Sequence, residues 1–193
     1  RKTANTNYKK AIYKFDSFDE FCNFCTYLKN SNLKDLNDYD VIITHDNRDI
    51  EKTTNKDILF LIPEIITAGV GCRRGIEFEI IENAVLKALN EENCHILSLK
   101  SVASIDKKAD EKGILEFAER HGLPFNTYSA DELNSIEGDF TKSDFVKSVV
   151  SVDNVCERSA LADSKGGLIR RKDPGDGVTV ALALKEPVLS WQC

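Results

Sequence analysis

Between Ile65 and Leu184, apolar segments of strand length alternate with segments whose apolar residues recur every three or four positions. That alternation leaves few architectures, because strands separated by helices pair in parallel and are covered on both faces. Ile65-Ile-Thr-Ala-Gly-Val70 opens the series and meets a glycine-rich turn, Gly69-Val-Gly-Cys-Arg-Arg-Gly75. A helix is predicted next, with Ile76, Ile80, Ala84 and Ala88 four apart and Ile81, Val85 and Leu89 beside them. Leu97–Ile105 reads as a strand, and Glu111–His121 as a helix stopped by Gly122 with Pro124 just beyond. Phe125–Tyr128 reads as a strand, followed by a capping box, Ser129-Ala-Asp-Glu132. A helix starting at Thr141 or Ser143, another over Asn154–Asp163 capped by Asp153, and strands Gly167–Arg170 and Val178–Leu184 complete the series. The last strand is mostly β-branched or small and is expected in the interior. The expected fold is α/β: a three-layer αβα domain with a mainly parallel mixed sheet.

A composition shift near Pro63 divides the chain of 193 residues. Residues 1–62 hold eight Asn and balance ten basic against ten acidic residues; residues 63–193 carry sixteen against twenty-two, the whole net charge of −6. The first part reads as strand Ala11–Phe15, helix Ser17–Lys29, strand Asp40–Thr44 and buried run Ile58–Ile62, an incomplete, smaller α/β region. The domain proper is expected over 63–193. The chain starts at Arg1 and has no Met, as expected of a portion of a longer product. The acidic balance argues against nucleic-acid and anionic-membrane partners. No run of about 18–20 apolar residues is present, so a cytoplasmic location is expected. Of six scattered cysteines only Cys22-Asn-Phe-Cys25 has metal-ligand spacing, and it lies on an amphipathic helical pattern. No metal site is expected.

Chemistry concentrates in the turn after the first strand of the domain. Glycines that lead a strand into a helix N-terminus can present backbone N–H groups to an anion. Arg73 and Arg74 add forked donors suited to carboxylate or phosphate. The candidate binding residues are therefore Gly69, Gly71, Cys72, Arg73, Arg74 and Gly75. The spacing is one residue longer than a dinucleotide fingerprint and lacks the Lys-Ser/Thr ending of a P-loop, so nucleotide binding is a poor match. The bland alternative is a tight turn whose arginines pair with surface acids. Cys72, beside two arginines and a helix start, is expected to have a lowered pKa, with packing under the turn as its role. Ser104-Ile-Asp-Lys-Lys-Ala-Asp-Glu111 follows the next strand and should face the arginines. There Asp106 is the candidate general base and Lys108 an anion contact or electrophile, while Asp110 is expected to cap the following helix. Glu157 sits early in its helix, where a negative charge suits the dipole. Arg170-Arg171-Lys172 reads as an exposed basic rim.

Several of these runs resemble, in order, the C-terminal domain of the CbiG/CobE family of cobalamin biosynthesis. They are Val70-Gly-Cys-Arg-Arg-Gly75, Ser104-Ile-Asp-Lys-Lys-Ala-Asp-Glu111, His121-Gly-Leu-Pro, Tyr128-Ser-Ala-Asp-Glu-Leu133, Val155-Cys-Glu-Arg-Ser-Ala-Leu161 and Val178-Thr-Val-Ala. Residues 1–62 resemble, more loosely, the central region that precedes this domain in CbiG. The resemblance implies a cobalt-precorrin 5A hydrolase of the anaerobic vitamin B12 pathway. Such an enzyme opens a δ-lactone on the macrocycle with water and expels a two-carbon bridge as acetaldehyde. The implied partner is an anionic cobalt-tetrapyrrole, with other enzymes of the pathway beside it. Cobalt would arrive inside the substrate, and no further cofactor is implied. Arg73, Arg74 and Lys108 become the expected anchors and Asp106 the expected base, with Glu111 or Glu157 as alternatives and loop amides as oxyanion donors. The family's His- and Gly-rich N-terminal motif is absent from this sequence. A non-catalytic tetrapyrrole-binding module of the CobE type is the alternative.

Overall fold

The computed structural model describes residues 2–3, 12–14, 40–51, 58–138, 140, 152–172 and 177–185. The predicted helix over 17–29, the Cys22/Cys25 pair and the helix starting at 141 or 143 lie outside these residues. The chain separates into two compact units, Arg1–Glu64 with Asn93–Ser98, and Ile65–Glu92 with Leu99–Cys193.

In the first unit, strands β1 (Lys2–Thr3), β2 (Ile12–Lys14), β3 (Asp40–Ile43) and β4 (Ile58–Ile62) lie in the order β1-β2-β4-β3. β2 and β3 run parallel to β4, and β1 antiparallel to β2. A short helix α1 (Asn47–Glu51) follows β3. Asn93–Ser98 joins this unit through the hydrogen bonds Asn47 N–H to Asn93 O and His95 N–H to His45 O.

The second unit is the expected α/β fold. Among the described residues its mixed sheet has strands β5 (Ile66–Cys72), β6 (Leu99–Ile105), β7 (Phe125–Tyr128), β8 (Gly167–Arg170) and β9 (Val178–Leu184), ordered β7-β6-β5-β9-β8. β5, β6 and β7 are parallel; β9 is antiparallel to both β5 and β8 and lies inside the sheet, as its composition predicts. Beyond Leu184 the pairing continues with Lys185 N–H on Ile65 O, 3.3 Å.

Helices α2 (Phe78–Glu91), α3 (Lys112–His121), α4 (Ala130–Ser135) and α5 (Val155–Ser164) complete the layers. α2 starts two residues later than predicted and buries Phe78, Ile81, Val85, Ala88 and Leu89, a stripe at helical spacing. Ile80, expected on the inner face, is instead 40% exposed. Gly122 ends α3 at φ +65°, where a left-handed residue costs glycine nothing. The Ser129–Glu132 capping box forms reciprocally at the start of α4.

Alternation along the central strands divides small from large side chains. Ala181 and Ala183 of β9 pack with Cys156 and Ala160 of α5, so this face admits the helix closely. Val180 and Leu182, also buried, turn by the period of two to the other face, which α2 covers against β9.

The carboxyl-terminal end of α5 is fastened by one carboxylate. Asp163 accepts from Thr67 Oγ1 on β5 at 2.9 Å, from Asn126 Nδ2 at 2.6 Å and Tyr128 Oη at 2.9 Å on β7, and from Ser101 Oγ on β6. Burial pushes its carboxyl up, but the four donors together outweigh this and hold it below the ordinary carboxylate range. The same contact acts oppositely on Tyr128, whose hydroxyl is pushed up to about 12 by burial and by the adjacent carboxylate. A pKa lower in the folded than the unfolded chain contributes stability above the unfolded value and loses it as pH falls through the folded one. Asp163→Ala should therefore cost about 2–3 kcal/mol at pH 7. The gap to wild type should narrow below about pH 4. Urea unfolding at pH 7 and pH 3 checks this, and a gap independent of pH would remove the carboxylate charge as its source.

Candidate functional site

The residues singled out in the sequence gather at the carboxyl ends of β5 and β6, but not all in the expected roles. Strand β5 continues through Cys72, so Gly69, Gly71 and Cys72 lie on the strand rather than in the turn. A Cβ on Gly69 would lie 1.9 Å from Cys156 O and 2.8 Å from Ala160 N, and one on Gly71 2.7 Å from Thr179 Oγ1. These two glycines make room for α5 and for Thr179 of β9. Cys72 pairs opposite Val178. Burial pushes its thiol up and the nearby Lys108 and Arg74 only partly offset this, so the expected lowering is overturned. Cys156, buried on the inner face of α5, has its thiol pushed up to about 11 by burial.

The turn proper is Arg73–Glu77, and Gly75 occupies it at φ +74°. Two of its amides are spent within the chain. Arg73 N–H donates to Gly177 O at 2.9 Å, and Gly75 N–H donates to Glu111 Oε1 at 2.8 Å. The expectation that these amides face an incoming anion is corrected: a carbonyl and a carboxylate of the protein already fill the two positions. The Arg74 guanidinium donates twice to Asp110, at 2.9 and 3.0 Å, and to Lys107 O at 2.8 Å. Asp110 is therefore a partner of Arg74 rather than the cap of α3, and the bland reading of a surface ion pair holds for this arginine. Its hydrogen bonding to Arg74 keeps the Asp110 carboxyl below its usual range. Arg73 is exposed, with its aliphatic stem beside Gly177. Among the described residues its guanidinium has no hydrogen-bonding or ionic partner.

Asp106, also exposed, opens a 3-10 turn over Asp106–Lys108 and accepts Lys107 N–H on Oδ1 at 2.7 Å. Lys108 is turned inward, its Nζ 3.1 Å from Glu111 Oε2, with the two side chains 13% and 3% exposed. Glu157 is fully buried in the first turn of α5, and its Oε1 accepts Lys172 N–H at 3.0 Å. The cap of α5 is Asn154, at φ 60°, rather than Asp153. Arg158 donates to Asp153 O, Leu133 O and Ile136 O at 2.9–3.0 Å and stacks on Phe140, closing the end of α4. Arg170, expected on an exposed rim, pairs instead with Glu91 and Glu92 at the end of α2.

Thus Cys72, Arg73, Arg74, Gly75, Asp106, Lys107, Lys108 and Glu111 form one charged edge, with Arg73, Lys107 and Asp106 as its exposed ionic groups outside an ion pair. Sequence reading offered a surface acid as partner of the arginines without identifying it as Asp110, and it missed the Asp163 hub. Thr67 and Ser101 were a signal for the second, because a hydroxyl inside a buried strand requires a partner. Among the described residues no group of three His, Cys, Asp or Glu is placed to hold a metal ion, and no helix is long and apolar enough to cross a membrane.

The family described as "Cobalamin synthesis G C-terminus" matches residues 66–183. The chain is 32% identical over 124 residues to the cobalt-precorrin-5A hydrolase of Salmonella typhimurium, a match covering 64% of this chain and 35% of that protein. It is 32% identical over 148 residues to the cobalt-precorrin-5A hydrolase of Priestia megaterium, covering 75% of this chain and 39% of the relative. The matched region thus spans well under half of each relative. The crystal structure of CobE, a protein from the cobalamin (vitamin B12) biosynthetic pathway, superposes with a TM-score of 0.59 at 29% identity. It covers 65% of this chain and 93% of CobE.

The two kinds of glycine at this edge should respond differently to substitution. Gly69→Ala drives a methyl into main-chain atoms of α5 and should cost about 3 kcal/mol or more. Gly75→Ala meets nothing within 4 Å and bears only left-handed strain, about 1–2 kcal/mol. Thermal unfolding of the two variants checks the order, and a Gly69→Ala protein as stable as wild type would disprove the contact with α5.

Proposed function

As this chain belongs to the cobalamin synthesis G C-terminus family, we propose that it is the substrate-anchoring part of a cobalt-precorrin-5A hydrolase in vitamin B12 biosynthesis. Macrocycles of this class carry acetate and propionate side chains. The observation that carries the reading is the exposed Arg73 guanidinium at the carboxyl end of β5, held between neighbours that are internally satisfied. A planar fork of donors matches a carboxylate, and a local cluster of cations offsets the acidic balance of the chain as a whole. Lys107, on the adjoining turn, extends the same edge. Cobalt enters within the substrate, and the proposed reaction draws on no other cofactor.

Lactone opening needs an activated water and donors for the oxyanion. Of the three carboxylates considered, Glu111 and Glu157 are buried and accept main-chain N–H groups. Asp106 is the exposed one and is the proposed base. Water oxygen bonds to the lactone carbonyl carbon as its proton passes to Asp106. The ring C–O bond then breaks and Asp106 returns the proton to the departing oxygen, leaving a carboxylic acid and a hydroxyl. The C–C bond that joins the carbinol carbon to the macrocycle breaks next: the hydroxyl loses its proton as C=O forms, the bonding pair stays with the macrocycle, which takes up a proton, and the two-carbon bridge departs as acetaldehyde. The Arg73 guanidinium replaces the loop amides as the proposed oxyanion donor, since Arg73 and Gly75 N–H are already engaged.

A second reading, binding without chemistry, is favoured by the near-complete coverage of CobE by this chain. Incubation with cobalt-precorrin 5A separates the two. Acetaldehyde release supports the hydrolase, tight binding without product supports the carrier, and absence of binding overturns both. On the hydrolase reading Asp106→Asn should lower kcat by about 10²–10⁴-fold. Arg73→Ala should weaken binding about tenfold and, with the oxyanion donor gone, lower kcat as well. Steady-state acetaldehyde production and titration of the corrinoid absorbance measure the two effects.

A further inference from the structure

Glu111 holds an anomalous position. It is the N-cap residue of α3, where a side chain normally accepts from the first amides of its own helix, yet its carboxylate makes no such bond. Both oxygens are turned backward. One takes Gly75 N–H at 2.8 Å and the other Lys108 Nζ at 3.1 Å, in a site where Glu111 is 3% exposed. A buried carboxylate is tolerated only when its oxygens are satisfied, and here one partner belongs to the turn after β5 and the other to the turn after β6. The seat is rigid on its other side too. A Cβ on Gly113, in the first turn of α3, would lie 2.3 Å from Ile76 O, so the helix end and the arginine turn are in direct contact.

A second tie across the same gap, Arg74 to Asp110, has both side chains more than 60% exposed. Exposed pairs of this kind contribute little, whereas charge-assisted bonds sheltered from water are the stronger ones. Arg73 N–H on Gly177 O holds the side of the turn next to β9, and toward β6 and α3 the position of the turn rests chiefly on Glu111. Its backbone donor is a glycine at φ +74°, two residues after Arg73, so a shift there swings the Arg73 side chain.

We infer that Glu111 is a positioning residue: it forgoes capping α3 in order to fix the Arg73–Gly75 turn and thereby sets the affinity of Arg73 for the anionic substrate. The second half of this inference rests on the substrate reading above, the first half does not.

The test has two arms on the full chain. In the first, amide hydrogen exchange is followed by NMR without substrate. Glu111→Gln, which keeps size and loses charge, should raise exchange at Gly75 about tenfold and shift the Arg73 and Arg74 signals, leaving Phe117–His121 unchanged. Unaltered exchange and signals at 73–75 overturn the inference. In the second, the Kd for cobalt-precorrin 5A is measured in wild type, Glu111→Gln, Arg73→Ala and the double variant. Acting through Arg73, Glu111→Gln weakens binding about tenfold alone and less than about twofold in the Arg73→Ala background. Equal losses in both backgrounds mark a general structural role and overturn it. If wild type binds no corrinoid, the substrate reading fails and the exchange arm alone decides whether Glu111 positions the turn. Glu111→Asp, a methylene short, should follow Glu111→Gln in both arms.

Discussion

The close approach of α5 to the middle of the sheet is the constraint on which the second unit depends. Gly69 leaves main-chain atoms of α5 where a side chain would otherwise stand, and Ala181 and Ala183 continue the shallow face on the neighbouring strand. Once the helix lies there, its far end brings Asp163 beneath Thr67, Ser101, Asn126 and Tyr128, tying three parallel strands to one carboxylate. Its near end brings Glu157 to Lys172 and Arg158 to the end of α4. Small residues thus decide the geometry, and polar ones fix it.

At the carboxyl edge of the sheet the same economy of partners decides which groups remain for chemistry. A strand that leads through glycine toward a helix offers amides and a dipole, and the usual inference is an empty anion seat. Here the protein supplies its own anion, Glu111, and its own carbonyl, Gly177. Facing outward beside them is side-chain charge, on Arg73, Lys107 and Asp106. Recognition by a guanidinium at the end of a long stem tolerates a large, many-armed ligand better than a cradle of amides, which requires close approach to the backbone.

The fold was legible because its signals are local. The β7, β8 and β9 ranges, the glycine stop after His121 and the Ser129 capping box all rest on residues within a few positions of one another. The α2 register was harder, since Ile80 fits an apolar stripe by spacing but lies on its outer margin. The site was legible only in part. Its residues were found, because glycine and paired arginines after a strand are conspicuous, yet their duties were not. Whether Gly69 binds a ligand or clears a helix depends on Cys156, and whether Asp110 caps a helix or pairs with an arginine depends on Arg74. Those partners are tens of residues away, and only tertiary packing places them. The thiol of Cys72 shows the same limit: adjacent arginines predict one direction, and burial imposes the other.

The pairing of β5 with β9 has a further consequence, for the order in which the molecule can be made. Gly69 faces Ala181 across the centre of the sheet, so the first strand of the unit waits for the last. Closing so long a loop is entropically slow, and folding is governed by such distant contacts more than by local ones. A growing chain can pair β5 with β6 and then β7 while its other edge stays open. That edge is rich in small and apolar residues, the kind that recruits stray strands, and it is sealed only when Val178–Leu184 has left the ribosome. The strand that completes the core is therefore also the one that ends the chain's exposure to aggregation.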